Sequence, residues 1–88
     1  MESAEFGVPI SIKLEYYAAL RDCAGKAAED MTISSITAGA LYGILRERYR
    51  FPFSSVQVRV AVNGAFVDWA HMLKQGDHVV FVPPVSGG

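Results

Sequence analysis

The residues of this chain best suited to covalent chemistry are its last two, Gly87 and Gly88. They follow Pro83-Pro84-Val85-Ser86, which in turn follow the apolar run Val79-Val80-Phe81-Val82 without a linker. A terminal carboxyl with an ordinary pKa of about 3.3–3.7 is ionised at neutral pH and is a poor electrophile. Adenylation would change that, leaving the carbonyl carbon open to attack by sulfur, nitrogen or an alcohol. With no Cβ, Gly87 and Gly88 can pass through a channel too narrow for a side chain. Pro83 and Pro84 hold φ near −65° and lack an N–H, so the exit from the preceding strand is expected to be extended and unable to pair further. The tail reads as a slim, preformed probe carrying an activatable carboxylate on Gly88.

Other candidate chemistry is thin. His71 and His78 lie too far apart in sequence for a local ligand pair and read as ordinary surface or half-buried histidines. The single cysteine, Cys23, excludes an internal disulfide and a Cys-rich metal site. Lys26 and a helix end lie near it, but an incidental cysteine is the simpler reading. Asp22, Glu29 and Asp30 show no spacing that argues for a metal or an acid–base pair, and Gly25-Lys26 lacks the rest of a phosphate loop. Arg46, Arg48 and Arg50 read as a solvated helix end. No metal site and no stably bound cofactor are expected, and any nucleophile, base or oxyanion donor must come from another protein.

The rest of the chain must position that tail. Its 88 residues make one domain, and a 51% hydrophobic content is enough for one core. A net charge of −1 leaves no basic stripe for nucleic acid. The apolar runs fall far short of the roughly 20 residues needed to cross a bilayer. The N-terminal residues lack the basic start and apolar middle of a signal peptide, so the expected setting is the cytosol. Residues 1–8 read as a flexible leader, 9–82 as the domain and 83–88 as the extended tail.

Within the domain, Ile10, Ile12, Leu14 and Tyr16 alternate with polar neighbours, the period of a half-buried strand. Ala18 to Ala24 suits a short helical turn ended by Gly25. Ala28 to Ile33 forms a second strand able to pair antiparallel with the first. Thr37 is the expected N-cap of the main helix, with Leu41, Ile44, Leu45 and Arg48 at helical spacing and Ala40 widening the apolar face. Gly39 and Gly43 weaken that helix by about 1 kcal/mol each relative to Ala, and Pro52 bars its continuation. Val58, Val60 and Val62 mark a third strand, Asn63-Gly64 a tight hairpin turn, and Ala65 to Val67 the return. An irregular link from Trp69 to Leu73 and a turn at Gln75-Gly76-Asp77 lead to a final strand, His78 to Val82. One main helix on one face of a mixed sheet makes an α+β two-layer domain.

The final strand carries a further implication. Val79 and Phe81 share one face and Val80 and Val82 the other. With one helix covering one face, Val80 and Val82 should look outward, joined by Tyr17 from the outward parity of the first strand. Apolar groups around a probe-like tail suggest a protein docking surface. A second small cluster under the Trp69 link is the alternative.

These residues match a family. Phe81-Val82-Pro83-Pro84-Val85-Ser86-Gly87-Gly88 resembles the end of the small, sulfur-carrying subunits of molybdopterin synthase, which are ubiquitin-like β-grasp proteins. Leu14-Glu15-Tyr16-Tyr17-Ala18 with Leu20-Arg21 and Gly25 is similar to the family's first strand and turn. Ala61-Val62-Asn63-Gly64 is similar to its central hairpin, and Gln75-Gly76-Asp77-His78-Val79 to the segment feeding its last strand. The leader before Val8 is longer than bacterial members need. Val82 stands where an aromatic is frequent, and Asp22-Cys23 follows Arg21 where an acidic-apolar pair is common.

The resemblance implies that a ubiquitin-activating-enzyme-like adenylyltransferase uses ATP to convert the Gly88 carboxylate to an acyl adenylate, and that a sulfur donor then leaves a thiocarboxylate there. It implies that the tail enters the large catalytic synthase subunit, in a hetero-oligomer expected to be a heterotetramer, where sulfur passes to cyclic pyranopterin monophosphate. The docking patch carried over is Tyr17, Phe66 and Val82, with Pro83, Pro84, Val85 and Ser86 following the tail into the partner. Sulfur carriers of thiamine synthesis or tRNA thiolation, and an interaction module or protein modifier, are the other readings of such a tail.

Overall fold

The computed structural model describes residues 8–85. Most of the expected leader and the tail residues Ser86, Gly87 and Gly88 therefore lie outside the described residues. Among the described residues seven elements follow one another: β1 (Pro9–Tyr16), α1 (Ala18–Ala24), β2 (Ala28–Ser34), α2 (Ala38–Tyr49), β3 (Arg59–Val62), β4 (Ala65–Val67) and β5 (His78–Val82). The five strands form one sheet in the order β2-β1-β5-β3-β4. β1 and β5 pair in parallel at its centre, with Lys13 opposite His78 and Tyr16 opposite Phe81. The other pairs are antiparallel. This is the α+β two-layer arrangement expected from the strand and helix periods.

The alternation of β1 holds along its whole length, with Ile10, Ile12, Leu14 and Tyr16 all buried. Val60, Val62, Val79 and Phe81 continue the same buried face across β3 and β5. α2 covers it with Ala38, Leu41, Tyr42 and Leu45. The helix is rotated from the face expected. At roughly 100° per residue, Ile44 falls about 110° from the centre of the buried stripe. It is 46% exposed, and Ala40 is exposed as well. Tyr42 takes the place assigned to Ile44, because its ring completes an aromatic cluster with Phe51, Trp69 and Phe81 at centroid separations of 5.9, 5.3 and 5.4 Å.

The start of α2 explains Gly39. The N–H groups of Ala38 and Gly39 donate to the carbonyls of His71 and Trp69, both at 2.9 Å. The Thr37 hydroxyl accepts from Ala40 N at 3.1 Å. The orphan donors of the first turn are thus shared between a side-chain cap and the link before β5. A Cβ at Gly39 would lie 3.1 Å from the Trp69 carbonyl oxygen and 3.3 Å from its Cβ, so the close approach requires glycine. At the other end Arg50 adopts the left-handed cap (φ 57°, ψ 45°), and Phe51 N donates to Arg46 O.

Among the described residues two polar clusters tie distant segments together. Asp77 is buried and accepts from Asn63 Nδ2 at 2.9 Å and from Lys74 N at 2.8 Å. Asn63 Oδ1 in turn accepts from His78 N at 3.0 Å. The Asn63-Gly64 turn, with φ of 53° and 89°, is thereby locked to the start of β5. In the second cluster Glu29 of β2 accepts from the hydroxyls of Tyr16 and Tyr49 at 2.6 and 2.7 Å and faces Lys26 at 3.5 Å. Burial pushes the Glu29 carboxyl up, but the two phenols and Lys26 outweigh it and hold the group below its ordinary value. Burial, and then Glu29 itself, pushes the Tyr16 phenol far up.

Replacing Glu29 by Gln should lower stability by about 1–2 kcal/mol at neutral pH, the usual cost of losing hydrogen bonds to a charged group. The carboxyl has a lower pKa folded than unfolded. Its contribution is therefore complete above the unfolded value of about 4.3 and fades as pH falls through the folded value. Urea melts of both proteins from neutral pH down to about pH 3 should converge at the acid end. A gap that stays constant across that range would assign the loss to packing instead.

Candidate functional site

Because β1 and β5 run parallel, their C-terminal ends emerge side by side at one end of the sheet. From there β1 turns into α1 at Tyr17, while β5 continues into Pro83-Pro84-Val85. Between them lies an open, mostly apolar groove of about 550 Å³, lined by Tyr17 to Ala19, Phe53 and Val82 to Val85. Pro83 is buried, whereas Pro84 is exposed and Val85 is 93% exposed, so the chain leaves the body within two residues of the strand end. Tyr17 caps α1 with an extended backbone (φ −122°, ψ 152°) and is 45% exposed.

The groove opens beside the sheet face not covered by α2. Its rows follow from the register: Glu15, Val80, Ala61 and Phe66 stand in line across four strands, and Val82 stands opposite Arg59. Val80, Val82 and Ala61 are half-buried and Phe66 is 55% exposed. The outward parity assigned to Val80 and Val82 is observed. The alternative, a cluster beneath the Trp69 link, is overturned. Trp69 packs on the other side of the sheet, stacked on inward-facing Phe81 at 6.2 Å and against Tyr42.

Polar groups flank this apolar strip. On one side the Glu15 carboxylate accepts from the Tyr17 hydroxyl at 2.9 Å and meets His78 Nε2 at 2.8 Å. The Tyr17 hydrogen bond, and then the His78 contact, hold the Glu15 carboxyl below its ordinary value. The same hydrogen bond pushes the Tyr17 phenol up. On the other side the Arg59 guanidinium carbon lies 3.8 Å from the centre of the Phe66 ring.

The structure thus brings Tyr17, Val82, Pro83, Pro84 and Val85 together around one groove, with Phe66 at the far side of the adjoining face. Ser86, Gly87 and Gly88 fall outside the described residues. Sequence reasoning missed Phe53 and Arg59. Phe53 reaches the groove because its carbonyl accepts from the buried Tyr42 hydroxyl at 2.8 Å, a contact that no local pattern announces. Arg59 was accessible to reasoning: the burial of Val58 and Val60 leaves it outward, and the two-residue turn at Asn63-Gly64 sets the strand register beside Phe66. Among the described residues no group of three or more His, Cys, Asp or Glu side chains could hold a metal ion. Among them, too, no helix is long and apolar enough to cross a membrane. Cys23 is exposed on α1.

Comparison with known proteins bears on this arrangement. Residues 14–88 match the ThiS family. The chain is 31% identical to the molybdopterin synthase sulfur carrier subunit of Escherichia coli over 80 residues, covering 88% of this chain and 99% of that protein. Among solved structures it resembles SAMP1 of Haloferax volcanii, with a TM-score of 0.73, 24% identity, and coverage of 89% and 99% of the two chains. It also resembles the complex of subunits 1 and 2 of molybdopterin-converting factor from Helicobacter pylori, with a TM-score of 0.60, 22% identity, and coverage of 90% and 100%. The likeness to solved structures shows the fold, a ubiquitin-like β-grasp.

One backbone feature borders the groove. Ala18, the first residue of α1, has φ of 51°, a left-handed angle on a residue with a Cβ. That conformation costs about 1–2 kcal/mol, whereas the extra freedom of an unfolded glycine costs about 0.5–1 kcal/mol. Ala18→Gly should therefore raise stability by roughly 0.5–1 kcal/mol, and Ala18→Val should lower it by more than about 1 kcal/mol. Thermal or urea melts of the two variants check the pair. Equal stability in both would show that Ala18 carries no strain.

Proposed function

The chain belongs to the ThiS family, and on that footing we propose that it is a sulfur carrier that delivers sulfur to the large subunit of molybdopterin synthase. The observation that carries this reading is the exit of β5. Within two residues of the strand the chain leaves the body beside an apolar groove and a half-exposed apolar sheet face. Such a body suits docking, and a tail leaving from its edge suits insertion into a partner.

The chemistry is carried by Gly88. An activating enzyme would supply ATP. The Gly88 carboxylate oxygen bonds to the α-phosphorus, pyrophosphate leaves, and the carbonyl carbon becomes an acyl adenylate. Hydrosulfide then adds to that carbon and AMP departs with the bridging oxygen, leaving a thiocarboxylate. In the large subunit the thiocarboxylate sulfur bonds to a carbon of the pterin precursor as a carbon–oxygen bond there breaks, and water then attacks the Gly88 carbonyl carbon, cleaving its bond to sulfur and returning the carboxylate. Two such cycles supply the two sulfurs of the dithiolene. The chain's own part is to present the reacting atom: Gly87 keeps the approach slim, Pro83 and Pro84 limit backbone freedom before it, and the body sets where the tail begins. The base and oxyanion donors belong to the partners.

Incubation with the activating enzyme, ATP and a sulfide source should raise the intact mass by about 16 Da, the difference between sulfur and oxygen. Deleting Gly88 should remove both this gain and the pterin product while leaving binding to the large subunit within a few-fold. No gain with an enzyme competent on another carrier, or synthesis by the truncated chain, would sink the proposal.

The docking face makes a separate prediction. Phe66→Ala and Val82→Asp should each weaken binding to the large subunit by about 1–3 kcal/mol, as expected for apolar anchors at an interface. Both side chains are already partly in water, so the melting temperature should change little. A melt that drops in step with affinity would identify them as core residues instead.

A further inference from the structure

Among the described residues the charged side chains that β1, β2 and β5 place on the uncovered sheet face are paired within the fold. Lys13 of β1 meets Asp30 of β2 at 3.4 Å, and Glu15 meets His78 at 2.8 Å. Arg59 differs. Its guanidinium rests on the Phe66 ring at 3.8 Å, and among the described residues no carboxylate lies within ion-pair distance of it. Its position is the telling one. It stands on β3 opposite Val82, the last residue of β5 before the tail, between that valine and Phe66.

Stacking on a ring occupies one flat side of a guanidinium and leaves its in-plane N–H donors free. It also pins the group, so little rotamer freedom remains to be lost on binding. A protein that covers Val82 and Phe66 must take this ion out of water. Buried without a counter-charge, it would weaken the complex. A carboxylate on the incoming surface can instead accept two parallel N–H bonds from the fork. A partner that is apolar throughout is rejected, whereas one with a carboxylate at this point is selected.

We propose that Arg59 is a specificity-determining contact of the docking face. It takes a carboxylate of the large subunit at the point where the tail leaves the body, with Phe66 as its platform. This rests on the proposed use of the face for docking on that subunit. The partner surface is thereby defined by its chemistry: an apolar patch over Val80 and Val82, bordered by an Asp or Glu aligned with the β3–β4 hairpin.

The test is titration calorimetry of the full chain and its variants against the large subunit, with melts as the folding control. Arg59→Met keeps an unbranched apolar stem over Phe66 and removes the charge, and should weaken binding at least about tenfold, that is by 1.4 kcal/mol. Arg59→Lys keeps the charge but loses the fork, and should fall between Met and wild type. Arg59→Glu should be the weakest, and a single Asp→Lys or Glu→Lys change on the large subunit should restore it. If Arg59→Met binds as tightly as wild type while Phe66→Ala and Val82→Asp still bind poorly, the face docks but the Arg59 assignment is wrong. If none of these variants loses affinity, the docking reading fails and this inference fails with it.

Discussion

The parallel pairing of β1 with β5 is the contact on which the rest of this molecule depends. It joins residues 13–16 to residues 78–81, so roughly three-quarters of the chain lies in the loop that this pairing closes. Closure of that length costs more than a local turn, although the cost grows only logarithmically with length. Burial on the inner side offsets it. Leu14, Tyr16, Val79 and Phe81 are all fully buried, and Tyr16 and Phe81 stack at 6.5 Å. The remaining strands attach to this central pair by antiparallel hairpins or returns.

The direction of that pairing has a functional consequence. An antiparallel β1/β5 pair would have sent the tail out at the end of the sheet opposite to Tyr17. In parallel, both strands finish at one end, which sets Tyr17, the strained Ala18, Val82 and Pro83 around a single groove. The tail can therefore be presented from the same region as the apolar face that would seat a partner. A body with two covered faces would have no such surface. Among the described residues a single helix layer, α2 of just over three turns assisted by the short α1, leaves one face open.

Polar interactions do their work at the margins of this apolar frame. Asp77 ties the hairpin turn to the beginning of β5, so the register of Arg59 and Phe66 relative to Val82 is held by hydrogen bonds distant from the groove. Glu29 reaches across from an outer strand to two phenols and secures β2 to Tyr16 and to the end of α2. Glu15 orients Tyr17 from the neighbouring position two residues back. Each of these carboxylates has its oxygens occupied within the fold, which is why they read as architecture, and why Arg59 stands apart from them.

Local patterns determined much of this protein. The alternation of Ile10 to Tyr16 and of Val58 to Val62, the Asn63-Gly64 turn and the Thr37 cap each depend on near neighbours. Parity along β5 was enough to turn Val80 and Val82 outward, because side chains on a strand alternate whatever the strand pairs with. The tail's candidate chemistry was equally local, a matter of residue types in order. What only the tertiary structure decided were relations between distant segments. The rotation of α2, which exposes Ile44 and buries Tyr42, was set by Trp69 and Phe81 rather than by helix periodicity. Phe53 entered the groove through a bond to Tyr42, and Glu29 became a hub because Tyr16 and Tyr49 converge on it. Such contacts depend on which segments meet, and the energy that selects the meeting is spread over the whole core rather than written in any one stretch of chain.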